Sequence, residues 1–162
     1  LTLLAGLALA TQASAEMPPS PPADIASAVA DCWAAVRPNS IHQAVLRQRG
    51  WRAGKISDAQ GAVATPLQPD GKNGSNVLVM LMGASAAPMC SVLSRVENAA
   101  AVSKAAQAVQ QVLVAADPEV KTARSGKSIV FLSLPKIATL DGTGSKDKRA
   151  VRIVVGYSAE KK

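Results

Sequence analysis

The chain has 162 residues, enough for one domain, and its 48% apolar and 18% charged residues exclude an intrinsically disordered protein. Aromatic residues make up only 2%, so the core has to be built from Ala, Val, Leu and Ile. The formal net charge is +7, which disfavours a basic partner.

Residues 1–15 have the pattern of a secretory signal peptide. They carry no charge, contain an apolar run from Leu3 to Ala10, and end in Ala13-Ser14-Ala15, the A-x-A form of a signal-peptidase site. The alternative is a membrane anchor, but the run is shorter than the roughly 20 residues that span a bilayer. No basic residues precede the run, so we interpret it as an N-terminally truncated signal. We therefore expect a periplasmic or extracellular protein without a transmembrane segment in the mature chain.

The two cysteines, Cys32 and Cys90, are predicted to form a disulfide. An even number of cysteines in an exported protein favours a bridge, and the C-x-x-C spacing of redox sites is absent. A loop of this length makes a disulfide worth about 4 kcal/mol in the chain-entropy model. The alternative is a pair of buried free thiols.

A proline-rich leader, residues 16–23, precedes a single domain over residues 24–162. The first predicted helix begins at an N-cap, Asp24, and ends at Arg37-Pro38, with Cys32 and Trp33 facing the core. A second helix is predicted from Ser40 to Gly50, because Ser40-x-x-Gln43 has the form of a capping box.

The middle of the chain predicts a loop, a hairpin and a long helix. Residues 53–76 are rich in Gly and Pro and indicate a loop with one irregular edge strand at most. Asn76–Met82 is continuously apolar and predicts a central strand covered on both faces, paired with Met89–Val96. Asn98–Ala116 has apolar residues at helical spacing and is rich in alanine, which predicts a helix packed on the sheet.

The last third predicts a second hairpin, made of Ser128–Leu134 and Ala150–Tyr157 with an exposed loop between them. The expected fold class is therefore α+β: an antiparallel sheet of about four strands in two hairpins, a long helix between the hairpins, and two N-terminal helices packed on the sheet. No convincing internal repeat is visible, although two hairpins around a helix leave room for a distant duplication.

Phosphate-binding motifs are incomplete. Gly126-Lys127-Ser128 has the form of a P-loop end, but Lys121 stands where the first glycine belongs and a strand follows instead of a helix. Gly142-Thr143-Gly144 lacks a third glycine, because Asp147 stands at its place. We predict no cofactor.

Catalytic and metal-binding patterns are equally sparse. His42 is the single histidine, and its neighbour Ser40 is assigned to a helix cap instead of to a catalytic triad. One histidine, two paired cysteines and scattered acids do not form a local set of zinc ligands. The expectation is no metal and no enzyme. Paired carboxylates are not excluded by spacing, which leaves a small exported hydrolase-type enzyme, using carboxylate or Ser residues, as the alternative.

Positive charge is concentrated near the C-terminus. From Pro118 onward there are ten Lys and Arg against four Asp and Glu. The cations nearest the loop of the final hairpin are predicted to form a weak basic binding patch: Lys146, Lys148, Arg149 and Arg152. Its candidate partners are an anionic envelope polymer, a lipid surface or an acidic protein. Nucleic acid is disfavoured, because stacking aromatics are missing from this segment apart from Tyr157.

The sequence thus predicts a small exported, non-enzymatic binding or accessory protein of the cell envelope. A purely structural or assembly subunit is a further alternative, in which the basic residues only form a solvated surface.

Cleavage after Ala15 is the direct test of the export prediction. Because the small residues Ala13 and Ala15 fit the shallow pockets of the peptidase, the mature protein should begin at Glu16. N-terminal sequencing of exported material measures this. Material that still begins at or before Leu3 would contradict it.

Overall fold

The computed structural model describes residues 17–53, 65–69, 76–82 and 87–158, which form an antiparallel sheet with helices on one face. The helices are α1 (Pro22–Ala35), α2 (Gln43–Gln48) and α3 (Ala99–Ala116). The strands in chain order are β1 (Val36–Arg37), β2 (Ser40–Ile41), β3 (Trp51–Ala53), β4 (Thr65–Pro69), β5 (Leu78–Met82), β6 (Met89–Arg95), β7 (Lys121–Ser125), β8 (Ser128–Ser133), β9 (Lys136–Ser145) and β10 (Lys148–Tyr157). The predicted signal peptide and most of the predicted loop 53–76 lie outside the described residues.

The main sheet has eight strands in the order β3-β4-β5-β6-β10-β9-β8-β7, and β1 and β2 form a separate small hairpin. Each half of the chain contributes one long helix followed by four strands that pair in chain order. The last strands of the two halves, β6 and β10, pair antiparallel at the centre of the sheet. The strand order of the main sheet is therefore symmetric about the pair β6–β10, although the first half of the chain also places β1, β2 and α2 between its long helix and its four strands.

Strand alternation divides the sheet into an inner face, which the helices cover, and an outer face on the other side. Val92, Ile153 and Leu140 lie opposite one another on three adjacent strands, point inward and are fully buried. Cys90 shares this inner face and forms the disulfide with Cys32 of α1, with the two Cα atoms 5.6 Å apart. The predicted α+β class and the disulfide are confirmed.

The helices follow the sequence pattern closely, with shifted ends. α3 begins where predicted, because the side chain of Asn98 accepts a hydrogen bond from the backbone N–H of Ala101. α1 begins two residues before Asp24, with proline in its first turn, and ends at Ala35. Asp24 therefore lies in the first turn, where a negative charge is favoured by the helix dipole, and is not the N-cap.

The second predicted helix forms, but it begins later than expected and is shorter. Ser40 belongs to the short strand β2 and caps no helix; α2 begins only at Gln43 and lasts six residues. Its N-cap position is His42, whose side chain makes no capping hydrogen bond. What holds α2 is burial of Leu46 against α1, together with the neighbouring buried Trp51 of β3.

The prediction of about four strands was too low, because several strands carry few apolar residues. β7 is exposed along its whole length, and β9 occupies the segment that was predicted to be an exposed loop. As a result β8 pairs with β9, and not with β10 as expected. Asn76–Met82 is also corrected: burial alternates along β5, so only one of its faces is covered by the core.

α3 lies mainly against α1, and it also contacts β10 of the sheet. Its buried residues are Ala105, Ala106, Val109 and Leu113.

Val109→Asp tests this packing. Val109 is fully buried, so an unpaired carboxylate there should destabilise the domain by about 4 kcal/mol or more and prevent stable folding. Val114→Asp is the matched control, because Val114 on the same helix is 39% exposed and should tolerate the charge. Thermal unfolding followed by circular dichroism compares the two. Equal melting temperatures for the two variants would show that the assigned buried face is wrong.

Candidate anionic-partner surface

The basic residues of the last third lie on a tight β-hairpin. β9 continues to Ser145 and β10 begins at Lys148, so Lys146 and Asp147 form a two-residue turn between paired strands. Gly144 just before the turn has a φ of 83°, and a Cβ there would lie 2.1 Å from the carbonyl oxygen of Lys148. Only glycine, which has no Cβ, allows the two strands to come this close at position 144, so Gly144 is required for the geometry of the hairpin.

The register divides the four predicted cations between the two faces of the sheet. Lys148 and Arg152 lie on the outer face, and both are exposed. Arg149 lies on the inner face, half-buried, and its carbonyl oxygen accepts a hydrogen bond from the backbone N–H of Val96. Lys146 is exposed at the turn. The structure thus brings two of the four together on one face.

Arg95 is a cation of this surface that sequence reasoning did not select. It lies opposite Ala150 in the register of β6 with β10, on the outer face. Its Nη1 donates to the carbonyl oxygen of Met17 at 3.1 Å, while its Nε is buried without a hydrogen-bond partner. The alternation of β6 already placed Arg95 outward, but its proximity to β10 depends on a strand pairing across 50 residues of sequence.

Asp141 is the one carboxylate within the described strands, and it lies on the same face. It is opposite Arg152, with 4.0 Å between Arg152 Nη2 and Asp141 Oδ2, and it accepts a hydrogen bond from Ser128 Oγ. The side chain of Arg152 is 58% exposed, so this ion pair contributes little stability. The outer face therefore keeps an excess of positive charge around Arg95, Lys148 and Arg152.

The outer face is apolar at one end of the strands and basic at the other. The end nearest the β8–β9 turn, which we call the apolar end, is made of half-buried apolar side chains: Met80, Met82, Met89, Val130, Leu132, Ile137 and Val154. The opposite end, which we call the basic end, holds Arg95, Lys148 and Arg152. No described helix lies on this face, since all the contacts between long helices and strands lead to the inner face.

Two small residues let the apolar end pack closely. Ser91 lies between Met80 and Val154, is only 1% exposed, and has an Oγ without a hydrogen-bond partner. Gly156 lies beside Met89, and a Cβ at Gly156 would come 3.3 Å from the Met89 Cγ. Leu134 in the adjoining turn is 74% exposed, the highest value among the large apolar residues of the described chain.

A second charged site lies on the inner face, at the C-terminus of α1. Lys136 Nζ donates to the carbonyl oxygen of Trp33 at 2.8 Å and lies 5.2 Å from the Trp33 ring and 5.4 Å from the Tyr157 ring. Burial, and then the positive charge of Arg37, lower the pKa of Lys136, while Asp117 acts in the opposite direction. The last turn of α1 has no basic residue of its own, so Lys136 supplies the cation that a helix C-terminus favours.

The described residues offer little for acid–base or metal chemistry. They contain no group of three or more His, Cys, Asp and Glu residues arranged to hold a metal ion. A groove of about 200 Å³ lies between α3 and the strands β7 and β8, but Arg124 is the one charged residue among those that line it. His42 is exposed beside α2, near the opposite edge of the sheet from Ser128.

None of the described helices is long and apolar enough to cross a membrane. Comparison of the chain with protein-family models, with curated proteins and with solved structures finds no match.

Lys136→Met measures the electrostatics of the inner-face site. Because the pKa of Lys136 is lower in the folded than in the unfolded protein, the unfolded chain binds more protons between the two values, and stability rises with pH there. The free energy of unfolding of the wild type minus that of Lys136→Met should therefore increase from neutral pH towards about pH 10.5, the usual value for lysine. Urea unfolding across a pH series measures the difference. A difference that stays constant would show that the pKa is not lowered.

Proposed function

We propose that this protein is a small exported binding or accessory protein of the cell envelope, without enzymatic activity, that engages an anionic partner through the outer face of its C-terminal hairpin. Export is supported by the signal-like pattern of residues 1–15 and by the disulfide between Cys32 and Cys90, since disulfides persist in oxidising compartments.

The observation that carries the proposal is the grouping of cations on two central, adjacent strands. Arg95 of β6 lies beside Ala150, which sits between Lys148 and Arg152 along β10 on the same face. With about 7 Å between outward residues along a strand and about 4.8 Å between strands, the Cα of Arg95 lies about 8 Å from those of Lys148 and Arg152, close to the Debye length of about 8 Å at physiological salt, while Lys148 and Arg152 are about 14 Å apart. The three charges therefore add to one positive potential, with Asp141 as the opposing carboxylate in these strands.

The cations lie on paired strands with fixed positions, which favours a binding surface over a set of solvated charges without a partner. The cations project from the middle of an eight-stranded sheet, which fixes their spacing, and not from a flexible loop. Fixed charges steer an oppositely charged partner and raise its association rate more than scattered mobile charges do.

A small hydrolase-type enzyme remains the alternative proposal. The contact that most resembles part of a catalytic site is the hydrogen bond that Ser128 Oγ donates to Asp141. A serine nucleophile needs a base that accepts its proton, and histidine is the usual one. His42 lies beside α2, which packs on α1 and β3 near the other edge of the sheet. Binding is therefore the function that the arrangement supports best.

Charge reversal on the outer face tests the proposal. Lys148→Glu combined with Arg152→Gln removes three units of positive charge from the basic end, and retention on immobilised heparin at low salt should fall roughly tenfold. The unfolding free energy should change by less than about 1 kcal/mol, because both side chains are exposed. The measurement is the salt concentration at which each protein elutes.

The matched control is Arg47→Gln combined with Lys104→Glu, which removes the same charge from exposed positions on α2 and α3. Its elution should stay much closer to that of the wild type. If the two double variants elute at the same salt concentration, net charge alone determines retention and the outer face is not a binding surface.

A further inference from the structure

We propose that the outer face docks on a lipid bilayer that contains anionic lipids, with the strands inclined so that its apolar end reaches the acyl boundary and its basic end lies among the phosphates. This inference rests on the function proposed above and names the partner of that same surface.

The first argument is the extent of apolar surface that no described element covers. Seven apolar side chains from five strands, those of the apolar end, lie on the sheet face away from the helices, with the small residues Ser91, Thr139 and Gly156 between them. Each is half-buried by its neighbours and keeps the remainder of its surface accessible. A contiguous apolar area of this kind, bordered by charge, is typical of interaction surfaces in proteins.

The second argument is the order of the residues along the strands. From Met89 through Ser91 and Leu93 to Arg95, successive outward residues of β6 change from apolar to basic. The adjacent β10 follows the same direction, from Val154 to Arg152. The outer face is therefore apolar at one end and basic at the other, and about 20 Å of strand separate Met89 from Arg95.

This order matches the surface of a bilayer and not that of a soluble polymer. A soluble polyanion would neutralise Arg95, Lys148 and Arg152, but it would leave the apolar end in water. A bilayer surface offers both environments: the anionic lipid headgroups attract the cations, and apolar side chains are buried at the acyl boundary.

Three methionines at the β5–β6 side of the apolar end favour a fluid partner over a rigid one. Met80, Met82 and Met89 are neighbours, since Met82 and Met89 are opposite each other in the register of β5 with β6. Unbranched, polarisable side chains adapt to an irregular surface, as acyl chains present. Leu134, exposed in the adjoining turn, extends the apolar end beyond the strands.

A second copy of the chain fits this face less well. Stacking two outer faces would bury the cations of both copies, with one strand carboxylate, Asp141, from each to compensate them. Burying charge without a partner is costly, so the charge balance favours an anionic partner.

The test is co-sedimentation of the mature protein, beginning at Glu16, with vesicles of phosphatidylglycerol and, separately, of phosphatidylcholine. We expect binding to phosphatidylglycerol that weakens with salt, and at least tenfold weaker binding to phosphatidylcholine. Met80→Gln combined with Met89→Gln should reduce binding to phosphatidylglycerol about tenfold while leaving elution from heparin unchanged. Val114→Gln, on the helix side, should leave both unchanged and is the matched control.

Val154→Thr is a second, nearly isosteric change at the apolar end, should the double methionine variant fail to fold. Its vesicle binding should fall in the same direction, with a melting temperature close to that of the wild type.

The outcomes separate the two proposals. Binding to heparin without binding to phosphatidylglycerol, or vesicle binding that none of the apolar-end variants weakens, overturns the bilayer inference and leaves the anionic-partner function standing. A dimer in sedimentation equilibrium that the same apolar-end variants dissociate also overturns it, in favour of a second copy. Binding to neither heparin nor vesicles contradicts the proposed function itself.

Discussion

The close approach of α1 and α3 is the constraint on which the rest of the structure depends. A chain with 2% aromatic residues cannot fill the space above a wide sheet with large rings, so its helices have to lie near each other and near the strands. Small residues at their buried positions allow this: Ala26, Ala28 and Ala35 in α1, and Ala105 and Ala106 in α3. Larger side chains at these positions would separate the helices and open the core between the two halves of the chain.

The last turns of α1 connect this helix pair to distant parts of the chain. Cys32 bonds to Cys90 of β6, and the carbonyl oxygen of Trp33 accepts from Lys136 of β9. Asp31 immediately precedes Cys32, and its buried carboxylate accepts hydrogen bonds from Trp51 Nε1 at 2.8 Å and from the Arg49 guanidinium at 2.5 Å. The disulfide thus links α1 to β6, and Lys136 links its C-terminus to β9. The carboxylate of Asp31 links α1 to β3 and to the residue that follows α2.

The sequence predicted the elements whose stability is local, and missed those that depend on a neighbour. α3 has helical spacing, alanine-rich composition and an Asn98 cap within its own residues, so it was predictable. β7 has no apolar alternation and is a strand because β8 lies beside it. The first half of β9 pairs with both β8 and β10, whereas its second half, Asp-Gly-Thr-Gly-Ser, pairs with β10 alone. Strand propensity of this kind depends on context more than on the residues themselves.

The candidate site also has a part that the sequence predicted and a part that depends on neighbouring strands. Counting charges found Lys148 and Arg152, but the face that each occupies depends on the two-residue turn at Lys146-Asp147. The apolar end could not be predicted from any single segment, because its seven residues come from five strands. A surface assembled across strands has no linear motif, and its recognition requires the register.

β10 follows every other described strand along the chain, yet it is one of the two central strands of the finished sheet. Until β10 is available, β6 and β9 each lack a neighbour on one side. The pairing of Cys90 with Val155 joins residues that are far apart in the sequence, and contacts between such distant residues form slowly during folding. A nascent or C-terminally shortened chain is therefore two incomplete half-sheets with bare edges, open to pairing with other chains, and the halves become one domain only when the C-terminal strand inserts between them.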